Sequence, residues 1–329
     1  DRGYGERLNH SAIRQIAEEA IQEVDKMERR RGELQGCSKA MVAQNTGCSV
    51  SVRYLAQVIR TRNLSQVYAQ TLLAFMLIEM DERVVGLNFV APEDHPVSLM
   101  DYESHMAFIG ELSEKFAAAN PKITLHAGEL VLGLVPPEQL GWHIQHAISN
   151  AKAKRIGHGV DIIYDPNMYS TLSAMRNGQI AVEINLTSNE VILGVAGDEH
   201  PMSLYLEQGV PITLSTDDEG VLRIDLTHEY QKATQAYDLG DSNLKSFSRN
   251  ARQYSFLPGD PLFTNTRTGA VVIECLSTPK RHIAASSKCR TFLEPARSCK
   301  SSIFWVIILT IYFFSSSTKL RCAGFGLAS

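Results

Sequence analysis

Several features that would mark a specialised protein are missing from this sequence. Positive charge is not in excess. Lys and Arg number 32 against 36 Asp and Glu, a net charge of −4, which leaves no basic footprint for nucleic acid. Cysteine is sparse: the six are Cys37, Cys48, Cys275, Cys289, Cys299 and Cys322. No two stand in Cys-x-x-Cys spacing, which excludes a structural zinc ribbon. The apolar run Ile303–Phe314 spans 12 residues. A membrane-crossing helix needs about 20, so no membrane span is expected. No signal peptide is visible at Asp1, and the first residue is not Met. The expectation is therefore that Asp1 is an internal position of a longer protein. A soluble protein is expected, cytoplasmic in preference to secreted, with secretion open because the start is missing. Neither an internal repeat nor a long low-complexity linker is visible, and nothing assigns an oligomeric state.

What remains is an ordinary globular composition, 44% hydrophobic and 21% charged over 329 residues. That length allows one large domain or two ordinary ones. Apolar residues Ile13, Ile16, Ala17, Ala20, Ile21, Val24 and Met27 recur at helical spacing, predicting a helix from His10 to Arg31. β-rich segments follow at Ser49–Ile59, Val84–Val90, around Ile123, at Arg155, at Ile180–Asn185 and at Pro211–Ser215. Between and after them, helices are predicted over Leu64–Met80, Leu99–Ala119, Glu138–Ala153, Met168–Met175, Pro201–Gln208, Ile224–Tyr237 and Leu244–Tyr254. Thr187, Ser188 and Asn189 read as a loop. Six strands alternating with helices predict a parallel sheet. A closed barrel of eight would need two more strands, and nothing before Ser49 supplies them.

Four of these strands turn polar where they end. Lys122–Glu129 closes on His126-Ala127-Gly128-Glu129, and Arg155–Gly159 on Gly157-His158-Gly159. Ala181–Asn185 contains Glu183, and Pro211–Asp218 closes on Ser215-Thr216-Asp217-Asp218. The strand C-termini of a parallel α/β barrel open onto one face, where its chemistry is placed. His126, Glu129, His158, Asp217 and Asp218 are therefore expected to converge.

In order and separation, these pieces resemble the adenosine/AMP deaminase family of metal-dependent aminohydrolases. The resemblance covers roughly residues 49–259. It implies an α/β fold, a (β/α)8 TIM barrel of the metal-dependent hydrolase type, here incomplete, with strands 3 to 8 present and the first two missing. Residues 1–48 then form a helical segment leading into the barrel, 49–259 the barrel itself, and 260–329 a non-homologous tail. A hydrophobic anchor or core segment is the alternative for the apolar run in that tail. The absence of Pro-Cys-x-x-Cys argues against the other class of zinc deaminases.

The implied reaction is hydrolysis of adenosine to inosine and ammonia by attack of activated hydroxide at the purine C6. The implied cofactor is Zn2+, and the implied partner is a small-molecule purine nucleoside. By resemblance His126 and Asp217 bind the metal, Glu129 protonates the ring nitrogen, His158 orients the hydroxide, and Asp218 hydrogen-bonds N7. Glu129 would need a carboxyl still protonated near neutral pH, as desolvation can arrange.

Two departures stand out. Ala91 is the nearest counterpart of a family glycine whose backbone approaches the purine, which leaves AMP, adenine or an N6-substituted adenosine open as substrate. The family's His-x-His pair has no counterpart among the ten histidines. A closed zinc site usually draws on three or four protein ligands, so this chain by itself is expected to be a weak or inactive enzyme, or an inactive purine-binding fragment. Arg60, Glu183 and Asn189 are polar strand-end residues available to support the site. His143 and His146 read as plain helix surface, as do Glu111, Glu114 and Lys115.

Overall fold

A computed structural model describes residues 9–37, Cys48 and residues 52–273. The β-rich segments form strands β1 (Tyr54–Ile59), β2 (Val84–Val90), β3 (Lys122–Ala127), β4 (Arg155–His158), β5 (Ala181–Ile184) and β6 (Ile212–Leu214). All five neighbouring pairs are parallel, and the strands lie side by side in chain order. This is the α/β barrel architecture expected from the alternation, in incomplete form. Among the described residues β6 does not pair back onto β1, and their six-stranded sheet is open. The register puts Ala127 opposite His158 and His126 opposite Gly157, bringing two motifs from distant parts of the chain to one level. β2 and β3 approach closely at Gly86, where a Cβ would lie 2.3 Å from the Lys122 carbonyl oxygen.

Helix α1 (His10–Leu34) buries Ile13, Ala17, Ala20 and Val24, the apolar face read from its spacing. Its polar side is tied down by Arg83, which reaches Asp25 at 2.7 Å, and by the Tyr54 hydroxyl, which donates to Glu28. Helix α2 (Leu64–Met80) starts at Asn63, whose side chain accepts from the Gln66 N–H. It buries ten residues, so it is apolar nearly all round, as a helix enclosed by its neighbours must be. Cys37 and Cys48 form a disulfide, which no sequence spacing had indicated.

Three local readings are corrected. The helix expected over Leu99–Ala119 is divided into α3 (Pro96–Met100), α4 (Tyr102–Lys115) and a 3-10 turn at Ala117–Ala119. Asp101, with φ −99 and ψ 3, separates the first two. The helix expected over Glu138–Ala153 is α5 (His143–Ser149) alone, preceded by a 3-10 turn at Pro137–Gln139. Gly141 interrupts it with φ +76, packed so tightly that a Cβ would meet the Tyr164 carbonyl oxygen at 2.2 Å. The loop expected at Thr187–Asn189 is helical.

The remaining helices are α6 (Met168–Gly178), α7 (Leu186–Leu193), α8 (Met202–Glu207), α9 (Glu219–Leu222), α10 (Leu226–Tyr237) and α11 (Asp241–Gln253). In α7, short polar residues that disfavour helix in isolation are held by bonds to other strands, so tertiary contact overrides propensity. The segment Ser49–Ser51, expected to open β1, lies outside the described residues. So does 274–329, including Ile303–Phe314. Just past residue 260, β7 (Phe263–Asn265) and β8 (Ala270–Val271) make an antiparallel hairpin. α11 holds it: the Gln253 amide donates to the Phe263 carbonyl and Arg249 to that of Thr266. Among the described residues, no helix is long and apolar enough to cross a membrane.

Candidate active site at the strand C-termini

His126, His158 and Asp217, at the ends of β3, β4 and β6, each offer a ligand atom within 4.8 Å of the others. The two imidazole rings are 5.0 Å apart. Glu129 joins them, with Oε1 3.5 Å from His158 Nδ1. His158 Nε2 is 3.9 Å from Asp217 Oδ2. Four of the five residues expected to converge, His126, Glu129, His158 and Asp217, do so. Asp218 follows Asp217 and precedes α9, more exposed than Asp217 but with its carboxyl partly covered. Ala91 lies just past the end of β2, beside β3 in the sheet.

The turn that carries Glu129 is built to be rigid. Gly128 has φ +80, and a Cβ there would lie 2.3 Å from Asp161 Oδ1. Glycine is required on both counts. The buried carboxylate of Glu93 accepts from the Gly128 N–H at 3.1 Å and from the Glu129 N–H at 2.9 Å. From the other side, the Asp161 N–H donates to the Gly128 carbonyl at 3.0 Å. Arg60, itself buried, donates to the carbonyls of Phe89 and His126 at 3.1 Å and lies 4.0 Å from Glu93. One guanidinium thus ties the ends of β2 and β3 together and balances the Glu93 charge.

His126, Asp217 and His158 each have a partner that aims them. His126 Nδ1 is 3.2 Å from Asn88 Oδ1. An N–H donated there leaves the Nε2 lone pair free, the arrangement common in metal-binding histidines. Asp217 Oδ2 accepts from the Ser188 hydroxyl at 2.7 Å. His158 Nδ1 is 2.9 Å from the Asn189 side-chain nitrogen and 3.3 Å from that of Asn185. Lower on the sheet, Glu183 accepts from Thr124 at 2.9 Å and from Arg155. Ala91, His158 and Asp217 have φ of 79, 68 and 55. Such left-handed conformations of non-glycine residues cost energy and cluster at functional sites.

The electrostatics differ sharply among these groups. Burial, then the negative charges of Asp217 and Glu93, raises the Glu129 pKa to about 8, so its carboxyl keeps its proton at neutral pH. Burial, then the neighbouring His158 and Arg60, lowers His126 to about 3. Burial, then Arg60, does the same to His158. Both rings are therefore neutral: a neutral ring has the lone pair that metal binding requires and one N–H that can donate to an oxygen. Burial would push Glu183 up, but Arg155 and the Thr124 hydroxyl outweigh it and hold the carboxylate ionised. Burial and Asp217 raise Asp218.

Arg60, Glu183 and Asn189 were legible as polar strand ends. Glu93, Asn88, Ser188 and Asn185 were not singled out, although Asn88 and Glu93 lie in the polar stretch that closes β2. His143 corrects a reading. It is fully buried, not helix surface, stacked on Trp142 at 4.0 Å and 3.7 Å from Asp161. Glu111, Glu114 and Lys115 are exposed as expected.

A sequence model of the family described as Adenosine deaminase matches residues 14–262. That match begins within α1, well before the first motif. The chain is 35% identical to an adenosine deaminase of Shewanella loihica over 51% of this chain and 49% of the relative. To an adenosine deaminase of Salmonella schwarzengrund it is 37% identical over 42% of this chain and 38% of the relative. It thus spans about half or less of the length of these curated relatives. Among solved structures, the N6-methyl-AMP deaminase of Arabidopsis thaliana is 25% identical, with a TM-score of 0.46 over 62% of this chain and 54% of the other.

Proposed function

The chain belongs to the adenosine deaminase family, and we propose that its strand-end cluster is the catalytic half of a purine nucleoside deaminase site. The reaction is adenosine plus water to inosine plus ammonia. The observation that carries this reading is Glu129, whose carboxyl is still protonated near neutral pH and stands 3.5 Å from His158, beside His126 and Asp217.

Deamination needs a proton delivered to the ring nitrogen as oxygen adds at C6, and a proton delivered to the amine as it leaves. A carboxyl with its pKa near the working pH can do both. Glu129 donates to N1, recovers a proton from the oxygen that has added at C6, and passes it to the amine, which leaves as ammonia while N1 keeps its proton. His126, with Nε2 free, and Asp217, with one oxygen free of Ser188, fit a metal ion, and zinc suits a nitrogen and carboxylate donor pair. Zinc, when bound, would make water acidic enough to lose a proton near pH 7. His158 orients the attacking oxygen. Asp218, with burial and Asp217 both raising its pKa, faces the purine N7 as a hydrogen-bonding partner. Ala91, at the end of β2, offers its backbone to the base.

The test is to restore to the chain the strands its open barrel lacks, load the protein with zinc, determine bound metal, and follow adenosine loss and inosine formation by chromatography. AMP, adenine and N6-methyladenosine serve as competing substrates. Glu129→Gln should retain zinc and lose roughly 10²–10⁴-fold in turnover, the usual worth of a general acid–base group. Parent-level turnover by zinc-replete Glu129→Gln would refute the role given to Glu129.

A further inference from the structure

Close to His158, a chain of hydrogen bonds starts from a group whose role is unambiguous. A backbone N–H can only donate, and the Met202 N–H lies 3.1 Å from His200 Nδ1. That nitrogen must accept. His200 is 2% exposed. Burial, then the positive charge of Lys232, lowers its pKa to about 4, so at neutral pH the ring carries one proton. With Nδ1 accepting, the proton is on Nε2.

Nε2 lies 3.0 Å from Asn189 Oδ1, an oxygen able to accept it. The other end of the same amide is then its NH2 group, 2.9 Å from His158 Nδ1. An amide N–H donates, so His158 Nδ1 accepts, and a neutral His158 carries its proton on Nε2. The Asn185 amide nitrogen lies 3.3 Å from Nδ1 and 3.4 Å from Nε2, so it does not choose between the tautomers, and the 2.9 Å contact of Asn189 decides.

We propose that Asn189 and His200 are positioning residues that hold His158 as its Nε2–H tautomer, so that it presents a proton and not a lone pair to the reacting centre. The consequence separates two histidines that geometry alone treats alike. His126, with Nδ1 against the Asn88 carbonyl oxygen, keeps an Nε2 lone pair and can bind a metal. His158, in the opposite tautomer, cannot ligate through Nε2, but it can donate to an oxygen held between itself and Asp217. Amide neighbours of opposite polarity thus assign different work to two rings 5.0 Å apart.

The opposing influence is Glu129, whose Oε1 is 3.5 Å from the same Nδ1. An ionised Glu129 would draw the proton onto Nδ1, whereas a protonated Glu129 would not. The kinetic consequence rests on the deaminase reading proposed above; the tautomer itself does not.

The experiment is a long-range 1H–15N spectrum of the metal-free chain labelled with 15N-histidine at neutral pH, assigned with His158→Gln and His200→Gln. Both rings should give the pattern of a neutral imidazole protonated at Nε2. In Asn189→Asp the carboxylate accepts on both sides, and His158 should switch to protonation at Nδ1. A parent spectrum with His158 protonated at Nδ1 overturns the proposal, and this holds even where the variant does not fold. A folded Asn189→Asp with an unchanged His158 pattern also overturns it. In the zinc-loaded protein, the variant should lose about 10–100-fold in kcat with little change in KM, the scale typical of residues that orient a ligand or base. A switched tautomer with unchanged kcat would remove the positioning role. Absence of any deaminase activity in the parent with its barrel strands restored would sink the functional reading and leave the tautomer assignment to the spectra.

Discussion

Replacing Glu129 with Gln should stabilise the metal-free protein, and by more as pH rises. The Glu129 carboxyl goes from an ordinary 4.5 to about 8 on folding. The folded state therefore binds this proton more tightly than the unfolded state. Its contribution is fully present below the unfolded value and is lost as pH rises through the folded one. At about 1.4 kcal/mol per unit, the loss is roughly 2 kcal/mol at pH 6 and approaches about 5 kcal/mol above pH 8. A domain is stable by roughly 5–15 kcal/mol, so this one group is a large part of the total at alkaline pH.

Glutamine keeps the shape and removes the titration. The variant should match the parent at pH 4, lead it by about 2 kcal/mol at pH 6, and lead by about 3–5 kcal/mol at pH 9. Urea unfolding of both proteins in the presence of a chelator measures the difference directly, because groups uncoupled from Glu129 cancel. A gain that does not grow with pH, or one below about 1 kcal/mol at pH 9, would show that Glu129 is not held protonated by its surroundings. The assignment of Glu129 as the proton donor would fall with it.

Gly128→Ala should lower stability by about 1–3 kcal/mol, because φ is +80 and the new Cβ meets Asp161 at 2.3 Å; an unchanged melting temperature would show that the turn is not constrained as described. Ala91→Gly should leave stability unchanged or raise it by up to about 1 kcal/mol, since relief of a left-handed alanine, φ 79, offsets the extra chain entropy of glycine; a clear loss in denaturant unfolding would contradict the strain at this position.

The strand–helix alternation and the polar closures of four strands were written in the sequence, and so was the meeting of His126, Glu129, His158 and Asp217. Strands that run parallel in chain order bring their C-termini to one edge, and the residues at those ends have nowhere else to go. The apolar face of α1 was equally legible, because helical periodicity is a local property. Misreadings came where a local signal was opposed by packing. Thr187, Ser188 and Asn189 have loop-like composition, yet they form α7 because Ser188 and Asn189 bond Asp217 and His158. His143 looked like helix surface, since spacing along a helix says nothing of what covers it.

The sequence by itself thus determined which residues stand at the mouth of the sheet. Tertiary structure alone decided the chemical state of each. The raised pKa of Glu129 comes from burial and from carboxylates 36 and 88 positions away in the chain, Glu93 and Asp217. The proton on His158 is set through Asn189 and His200 by a backbone N–H in another helix. Protonation and tautomer depend on distance, solvent exclusion and the direction of a donor, and these exist only once the chain has folded.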